Sequence, residues 1–122
     1  MDLSMDELTD LQRRVLKLLT NIPKGKVTTY REIAIALGNP KLARVVGNAV
    51  RENPYPVTIP CHRVIRSSGE VGGYDGQVTG KNVTKKIELL RNEGVLVDDN
   101  GKIDLHKYLV NGENLVKRTK RL

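Results

Sequence analysis

The chain has 122 residues, 39% of them hydrophobic, with four Tyr and no Phe or Trp, enough for one domain around an aliphatic core. A single Cys excludes an internal disulfide framework, and no apolar run approaches the ~20 residues of a membrane span. Lys plus Arg number 21 against 14 Asp plus Glu, and the formal charge is +7.

The opening Met1-Asp2-Leu3-Ser4-Met5-Asp6 is acidic and lacks the apolar core of a secretory signal. A soluble intracellular protein is expected, cytoplasmic or, in a eukaryote, nuclear. Leu8, Leu11, Val15, Leu18, Leu19 and Ile22 recur at helical spacing and predict a first helix from about Asp6 to Thr20, stopped by Pro23-Lys24-Gly25. Thr29-Tyr30-Arg31-Glu32 has capping-box spacing, and Ile33, Ala34 and Leu37 give the next helix an apolar face up to Gly38. Asn39-Pro40 opens a third helix, about Lys41 to Glu52, with Leu42, Val45, Val46 and Ala49 on one side. Two short helices joined in this way predict a helix-turn-helix whose second member is the recognition helix, or else two helices of an ordinary small domain. Small residues (Ala43, Gly47, Ala49) let that helix approach another surface, and Arg44 and Asn48 share a face. Between Leu11 and Glu52 nine basic residues face only Glu32 and Glu52. Such an excess fits a polyanion, most simply nucleic acid, though a solvated surface gives the same composition.

Pro54, Pro56 and Pro60 stiffen a passage that leads into Ile59-Pro60-Cys61-His62-Arg63-Val64. A lone thiol beside an imidazole and a guanidinium reads as a nucleophile, because positive charge favours the attacking thiolate. The alternative is a small buried hydrophobe. On an extended segment Cys61 and His62 point apart, which suits a proton relay through water better than direct contact. Arg63-Val64-Ile65-Arg66 predicts a short strand and Ser67-Ser68-Gly69 a turn. Glycines 69, 72, 73, 76 and 80 mark a loop able to pass close to a ligand. A helix from about Asn82 to Asn92 follows, with Val83, Ile87 and Leu90 inward and Gly94 as its stop. Val95-Leu96-Val97 and Lys102-Ile103-Asp104 flank Asp99-Asn100-Gly101, a hairpin signal, and Lys117 to Leu122 predicts a mobile basic tail.

Taken in order, Asn39-Pro40-Lys41-Leu42-Ala43-Arg44-Val45-Val46-Gly47, Pro60-Cys61-His62-Arg63-Val64, Gly72-Gly73-Tyr74 and Leu89-Leu90-Arg91-Asn92-Glu93-Gly94 resemble the C-terminal domain of the O6-alkylguanine-DNA alkyltransferases from about Leu8 to Gly94. The resemblance implies a mainly α fold with a short β-hairpin, a winged-helix-like helix-turn-helix domain over 1–94, and a C-terminal extension over 95–122. It implies direct damage reversal: duplex DNA is bound, an alkylated guanine is flipped out, and its alkyl group passes irreversibly to Cys61. Flipping is needed because O6 is not open to in-line attack inside the stack.

By the same resemblance His62 helps deprotonate the thiol and Glu93 orients His62. Without the family Glu93 is an exposed helix-end carboxylate, in a place the helix dipole disfavours. Arg44 matches the side chain that fills the base stack, otherwise a phosphate contact. Tyr30 matches the residue that turns the target phosphate, otherwise a cap tyrosine. Lys41, Asn48 and Arg51 complete the expected DNA face. Val50, Asn53, Val64, Tyr74 and Asp75 fall at pocket positions, with Asn53 also the hinge before the cysteine loop; as plain structure Asn53 is turn chemistry, Val64 a strand residue and Tyr74 a loop anchor. Asp75 stands where many members carry Ser, Val50 replaces a bulkier residue of some relatives, and Gln77-Val78-Thr79-Gly80-Lys81 lengthens the loop. The family's N-terminal domain is expected to be missing. The expected partner is double-stranded DNA with alkylated guanine, bound by a monomer without cofactor, metal or membrane, and a separate repair partner is conceivable. One Cys and two His without ligand spacing do not make a zinc site. A lesion sensor of the same fold is the competing reading, but those sensors characteristically lack the cysteine. A helix-turn-helix regulator leaves Pro60-Cys61-His62-Arg63 unexplained, and a cysteine hydrolase would have to use His106.

Overall fold

A computed structural model describes residues 9–72 and 81–120. Helix α1 (Asp10–Leu19) opens on a complete capping box between Thr9 and Gln12 and buries Val15, Leu16, Leu18 and Leu19. Each such aliphatic side chain removed from water contributes about 1.5–3 kcal/mol. Strand β1 (Thr28–Thr29) leads into α2 (Tyr30–Ala36), where the Thr29 hydroxyl caps the Glu32 amide. The reciprocal half of the expected capping box is missing, because the Glu32 carboxylate instead accepts the Gly112 amide at 2.9 Å.

Gly38 (φ +99°) closes α2 and Asn39 caps a 3-10 turn, Pro40–Leu42, that continues into α3 (Ala43–Arg51). The predicted third helix is therefore a tight turn followed by an α-helix. Gly47 faces inward: a Cβ there would stand 3.8 Å from the Tyr30 ring. A second 3-10 turn, Cys61–Arg63, runs directly into β2 (Val64–Ile65). The two strands pair in parallel, Thr28 with Val64 and Thr29 with Ile65.

Helix α4 (Lys81–Asn92) ends in a left-handed Gly94 (φ +92°), with the Val95 amide on the Leu90 carbonyl and the Gly94 amide on that of Arg91. That is a Schellman cap, with Glu93 as its C-cap residue. The predicted hairpin does not form as two strands. Residues 98–102 make the turn, tied by the Asp98 carboxylate to the Asn100 and Lys102 amides, but Lys102 bridges antiparallel to Glu70 instead of to 95–97. The amide of Ile103 and the side chains of Val97, Ile103 and Tyr108 are taken up by contacts with earlier segments. Nor is the basic segment a free tail through Lys120: α5 (Leu105–Tyr108) leads to α6 (Gly112–Lys120), which carries the buried Leu115.

The buried apolar residues form two clusters. One lies among α1, α2, α3 and α6 and includes Cys61, Val50 and Val64. The other joins Val27, Ile65, Val71 and Leu90 to Val95, Val97, Ile103 and Tyr108. Val27 bonds on both sides to the C-terminal segment, its amide to the Tyr108 carbonyl and its carbonyl to the Val110 amide.

The contact of α6 with α2 depends on the lack of a side chain at Gly112. A Cβ there would lie 2.5 Å from the Glu32 carbonyl oxygen and 3.0 Å from the Ala36 amide nitrogen. Backbone atoms cannot step aside, so Gly112→Ala should destabilise the protein by about 1–3 kcal/mol, as overpacked sites do. Chemical denaturation checks this; an unchanged midpoint would mean that α6 does not dock on α2.

Candidate active site and nucleic-acid surface

Three elements meet at Cys61. The Asn53–Ile59 loop delivers it, the 3-10 turn carries it, and α4 covers it. Asn53 is buried and ties the loop at both ends, donating to the Ile59 carbonyl (2.8 Å) and accepting the Tyr55 amide (2.9 Å). The exposed Val57 at the loop tip has φ +72°, a strained state for a β-branched residue that costs about 1–3 kcal/mol. Cys61 is 8% exposed, a buried residue close to the surface.

The segment at Cys61 is a helical turn, not extended chain, so the expected opposite directions of Cys61 and His62 do not apply. His62 is fully buried and its Nε2 lies 3.1 Å from Glu93 Oε2. A carboxylate only accepts, so the proton is on Nε2 and the lone pair on Nδ1. Nδ1 is the one buried side-chain polar atom without a hydrogen-bond partner among the described residues. Burial is the largest influence on His62 and lowers its pKa; the Glu93 hydrogen bond and charge oppose this, while Arg63 and Lys86 add to the lowering. The result is a neutral imidazole with a free basic nitrogen.

Glu93 is held twice more. Arg63 donates from Nε to Oε1 (2.9 Å) and from Nη2 to Oε2 (2.7 Å), and its Nη1 reaches the Ile22 carbonyl (2.7 Å). Burial raises the Glu93 pKa, but the hydrogen bonds from Arg63 and His62 outweigh it and leave the carboxyl below its ordinary range. The positive charge expected to act on the thiol from Arg63 is thus engaged with Glu93.

A cation that sequence reasoning missed, Lys86, is 1% exposed and donates to the Val64 carbonyl at 2.7 Å. Its spacing carried the signal: Lys86, Leu90 and Glu93 fall at i, i+4 and i+7 on one face of α4. Val83 and Ile87, expected inward, are only half-buried. Tyr30 is half-buried with its pKa raised, first by burial and then by Cys61, against a lowering by Arg66. Val50 and Val64 are buried in the cluster that holds Cys61. Tyr74 and Asp75 lie outside the described residues.

On the outer side of the helix-turn-helix, Lys41, Arg44, Asn48 and Arg51 are all exposed. Arg51 donates to the Asn48 side chain at 2.7 Å, so these two form one polar unit, while Arg44 stands beside the 41%-exposed Val45. This face presents a helix and cations together, the shape a major groove admits.

The family model for the DNA-binding domain of 6-O-methylguanine DNA methyltransferase matches residues 10–95. The chain belongs to this family. It is 53% identical over 83 residues to the human methylated-DNA–protein-cysteine methyltransferase, covering 67% of this chain and 38% of that one. A bifunctional methyltransferase/endonuclease of Picrophilus torridus is 41% identical over 113 residues, 93% of this chain and 36% of the relative. The chain thus spans well under half the length of these two relatives. Among solved structures, S. pombe Atl1 in complex with damaged DNA containing O6-carboxymethylguanine is similar at TM-score 0.73 and 32% identity, over 89% of this chain and 99% of that one. The family is one of DNA repair and binds duplex DNA.

Glu93 raises the His62 pKa, so Glu93→Gln should lower it further, visible as a downward shift of the His62 ring titration by NMR. Stability should respond in the opposite sense to acid. Both groups have folded pKa values below their unfolded ones, so the wild type loses stability as pH falls below about 6.5, where unfolded His takes up protons, and then through the depressed Glu93 pKa. Glu93→Gln should flatten the lower part of that loss. An unmoved His62 titration would mean that the 3.1 Å contact does not persist in solution.

Proposed function

We propose that this protein repairs O6-alkylguanine in duplex DNA by irreversible transfer of the alkyl group to Cys61, acting once per molecule. The observation that carries the reading is the Cys61 thiol, in no disulfide, next to a neutral His62 whose basic Nδ1 is unengaged among the described residues and whose Nε2 is held by Glu93. His62 takes the thiol proton, directly or through water. The thiolate then attacks the alkyl carbon: an S–C bond forms, the C–O6 bond breaks, and its electron pair leaves with the guanine, which takes up a proton. Arg63 and Glu93 act through His62, fixing its tautomer and orientation.

Asn53 holds the loop that delivers the sulfur, and Tyr30 borders the path from the DNA face to Cys61. Lys41, Asn48 and Arg51 contact phosphates, and Arg44 fills the place of the extruded base. The similarity to Atl1 supports a second reading, lesion sensing without efficient transfer. Cys61 favours transfer, since sensors of this fold characteristically lack the residue.

Incubation with duplex DNA carrying one O6-methylguanine should raise the intact protein mass by one methylene equivalent, with no second turnover. Cys61→Ser should abolish the gain and keep DNA binding. Binding of the lesion without any mass change in the wild type would leave the sensor reading standing and sink transfer.

Arg44→Ala should slow transfer from duplex DNA by about tenfold or more, since unstacking a base step costs a few kcal/mol and the plug offsets part of it. Transfer from free O6-benzylguanine should change little, because the free base needs no flipping. Equal losses in single-turnover rates on both substrates would show that Arg44 supports the fold instead.

A further inference from the structure

The two arginines of Arg63-Val64-Ile65-Arg66 have different surroundings. Arg63 is engaged with Glu93 and the Ile22 carbonyl, whereas Arg66 is exposed. The strand pair fixes where Arg66 stands. Thr28 lies opposite Val64 and Thr29 opposite Ile65, so Tyr30 and Arg66 are the next residues at the same end of the two strands. Tyr30 in turn lies against the recognition helix, its ring 3.8 Å from where a Cβ on Gly47 would be. Gly47 of α3, Tyr30 and Arg66 therefore follow one another across the surface. The charge of Arg66 is felt at Tyr30, where it lowers a pKa that burial and Cys61 raise.

The stem of Arg66 is held while its head is open. Gly72 (φ +77°), the first residue of Gly72-Gly73-Tyr74, runs alongside it: a Cβ there would lie 3.3 Å from Arg66 Cγ and 3.4 Å from its Nε. The Arg66 amide donates to the Glu70 carbonyl (3.0 Å) and its carbonyl accepts the Gly69 amide (2.9 Å), which pins the backbone in a tight turn. Glu70, the carboxylate nearest in sequence, accepts the Ser68 hydroxyl at 3.3 Å. A guanidinium so presented matches an anion with two acceptor oxygens, and the anion that a DNA strand offers is a phosphodiester.

The cations on α3 face a strand whose bases are stacked. Turning a nucleotide out by about 180° about its backbone draws the flanking phosphates away from that line. The way from α3 to Cys61 passes Tyr30, and Arg66 is the exposed cation on the far side of it. We propose that Arg66 binds a backbone phosphate of the turned-out nucleotide, as a DNA-positioning residue outside the recognition helix. The inference rests on the reading that a base is extruded toward Cys61.

Binding across a salt series tests it, with Cys61→Ser protein and duplex DNA carrying one O6-methylguanine. One phosphate contact fewer in Arg66→Gln should reduce the slope of log affinity against log salt by about 0.9 in magnitude, and the affinity at low salt by about tenfold. Arg66→Lys, which keeps the charge, should return the slope. An unchanged slope in Arg66→Gln, or one that Arg66→Lys fails to return, overturns the proposal. The loss should be smaller on the same duplex with unmodified guanine, because a sound base pair is costlier to open. An equal loss would put Arg66 on the strand at large and overturn its assignment to the extruded nucleotide.

With Cys61 intact, Arg66→Gln should slow single-turnover transfer from the lesion duplex several-fold and leave transfer from free O6-benzylguanine unchanged, since the free base has no phosphate. Equal losses on both would assign Arg66 to packing at Gly72 and overturn the proposal. A protein that binds the lesion without transferring would remove only this rate comparison. The salt slopes would still decide the role of Arg66, so the two readings fail separately.

Discussion

The bidentate pair of Arg63 and Glu93 joins the parts of the molecule that make the site. Arg63 belongs to the turn that carries Cys61, Glu93 caps α4, and the third arm of the guanidinium holds the carbonyl of Ile22 just beyond α1. Gly25 lets the chain after α1 pass close to the Glu93 carbonyl, where a Cβ would meet the oxygen at 3.2 Å. Removing one partner of such a partly buried pair leaves a charge uncompensated and costs far more than the pair itself contributes. The same carboxylate then sets the tautomer of His62, so one interaction serves the fold and the chemistry together.

Around that joint the polar groups are sorted by what they can exchange. Glu93 is fixed as an anion by two donors, and His62 is kept neutral mainly by burial. Burial pushes the Lys86 pKa down and the Tyr30 pKa up, and the charge of Cys61 acts on both. Groups whose pKa values are displaced toward different tasks are the expected signature of a reaction site. Here the displacement follows from helix α4 lying over the cysteine turn and from exclusion of solvent, without a metal cluster among the described residues.

The helix-turn-helix is supported from behind by the C-terminal segment. Val110 and Leu115 enter the same cluster as α1, α2 and α3, and the Thr28 hydroxyl donates to the Val110 carbonyl at 2.7 Å. The Gly112 amide replaces the self-capping half-bond of Glu32, so the N-terminus of α2 is tied to α6. This packing supports the basic face of α3 from behind. Rigid elements position a functional side chain better than loops do.

Local signals were enough to read α1 to α4 but not α5 and α6, and also the stop at Gly94, the turns at Ser67 to Gly69 and Asp98 to Gly101 and the exposed cationic face of α3. Each correct reading depends on residues close in sequence: helical spacing, a cap, a left-handed glycine. The partners of Arg63, the parallel pairing of β1 with β2, the missing hairpin and the docking of α6 were decided only by tertiary structure. They join residues 30 to 80 positions apart, and a chain segment with a suitable pattern accepts whichever partner the rest of the fold brings near. Lys86 is the clearest case. By composition a lysine on a helix belongs in water, and only the packing of α4 over the Cys61–Arg63 turn puts this one in the interior, bonded to the Val64 carbonyl.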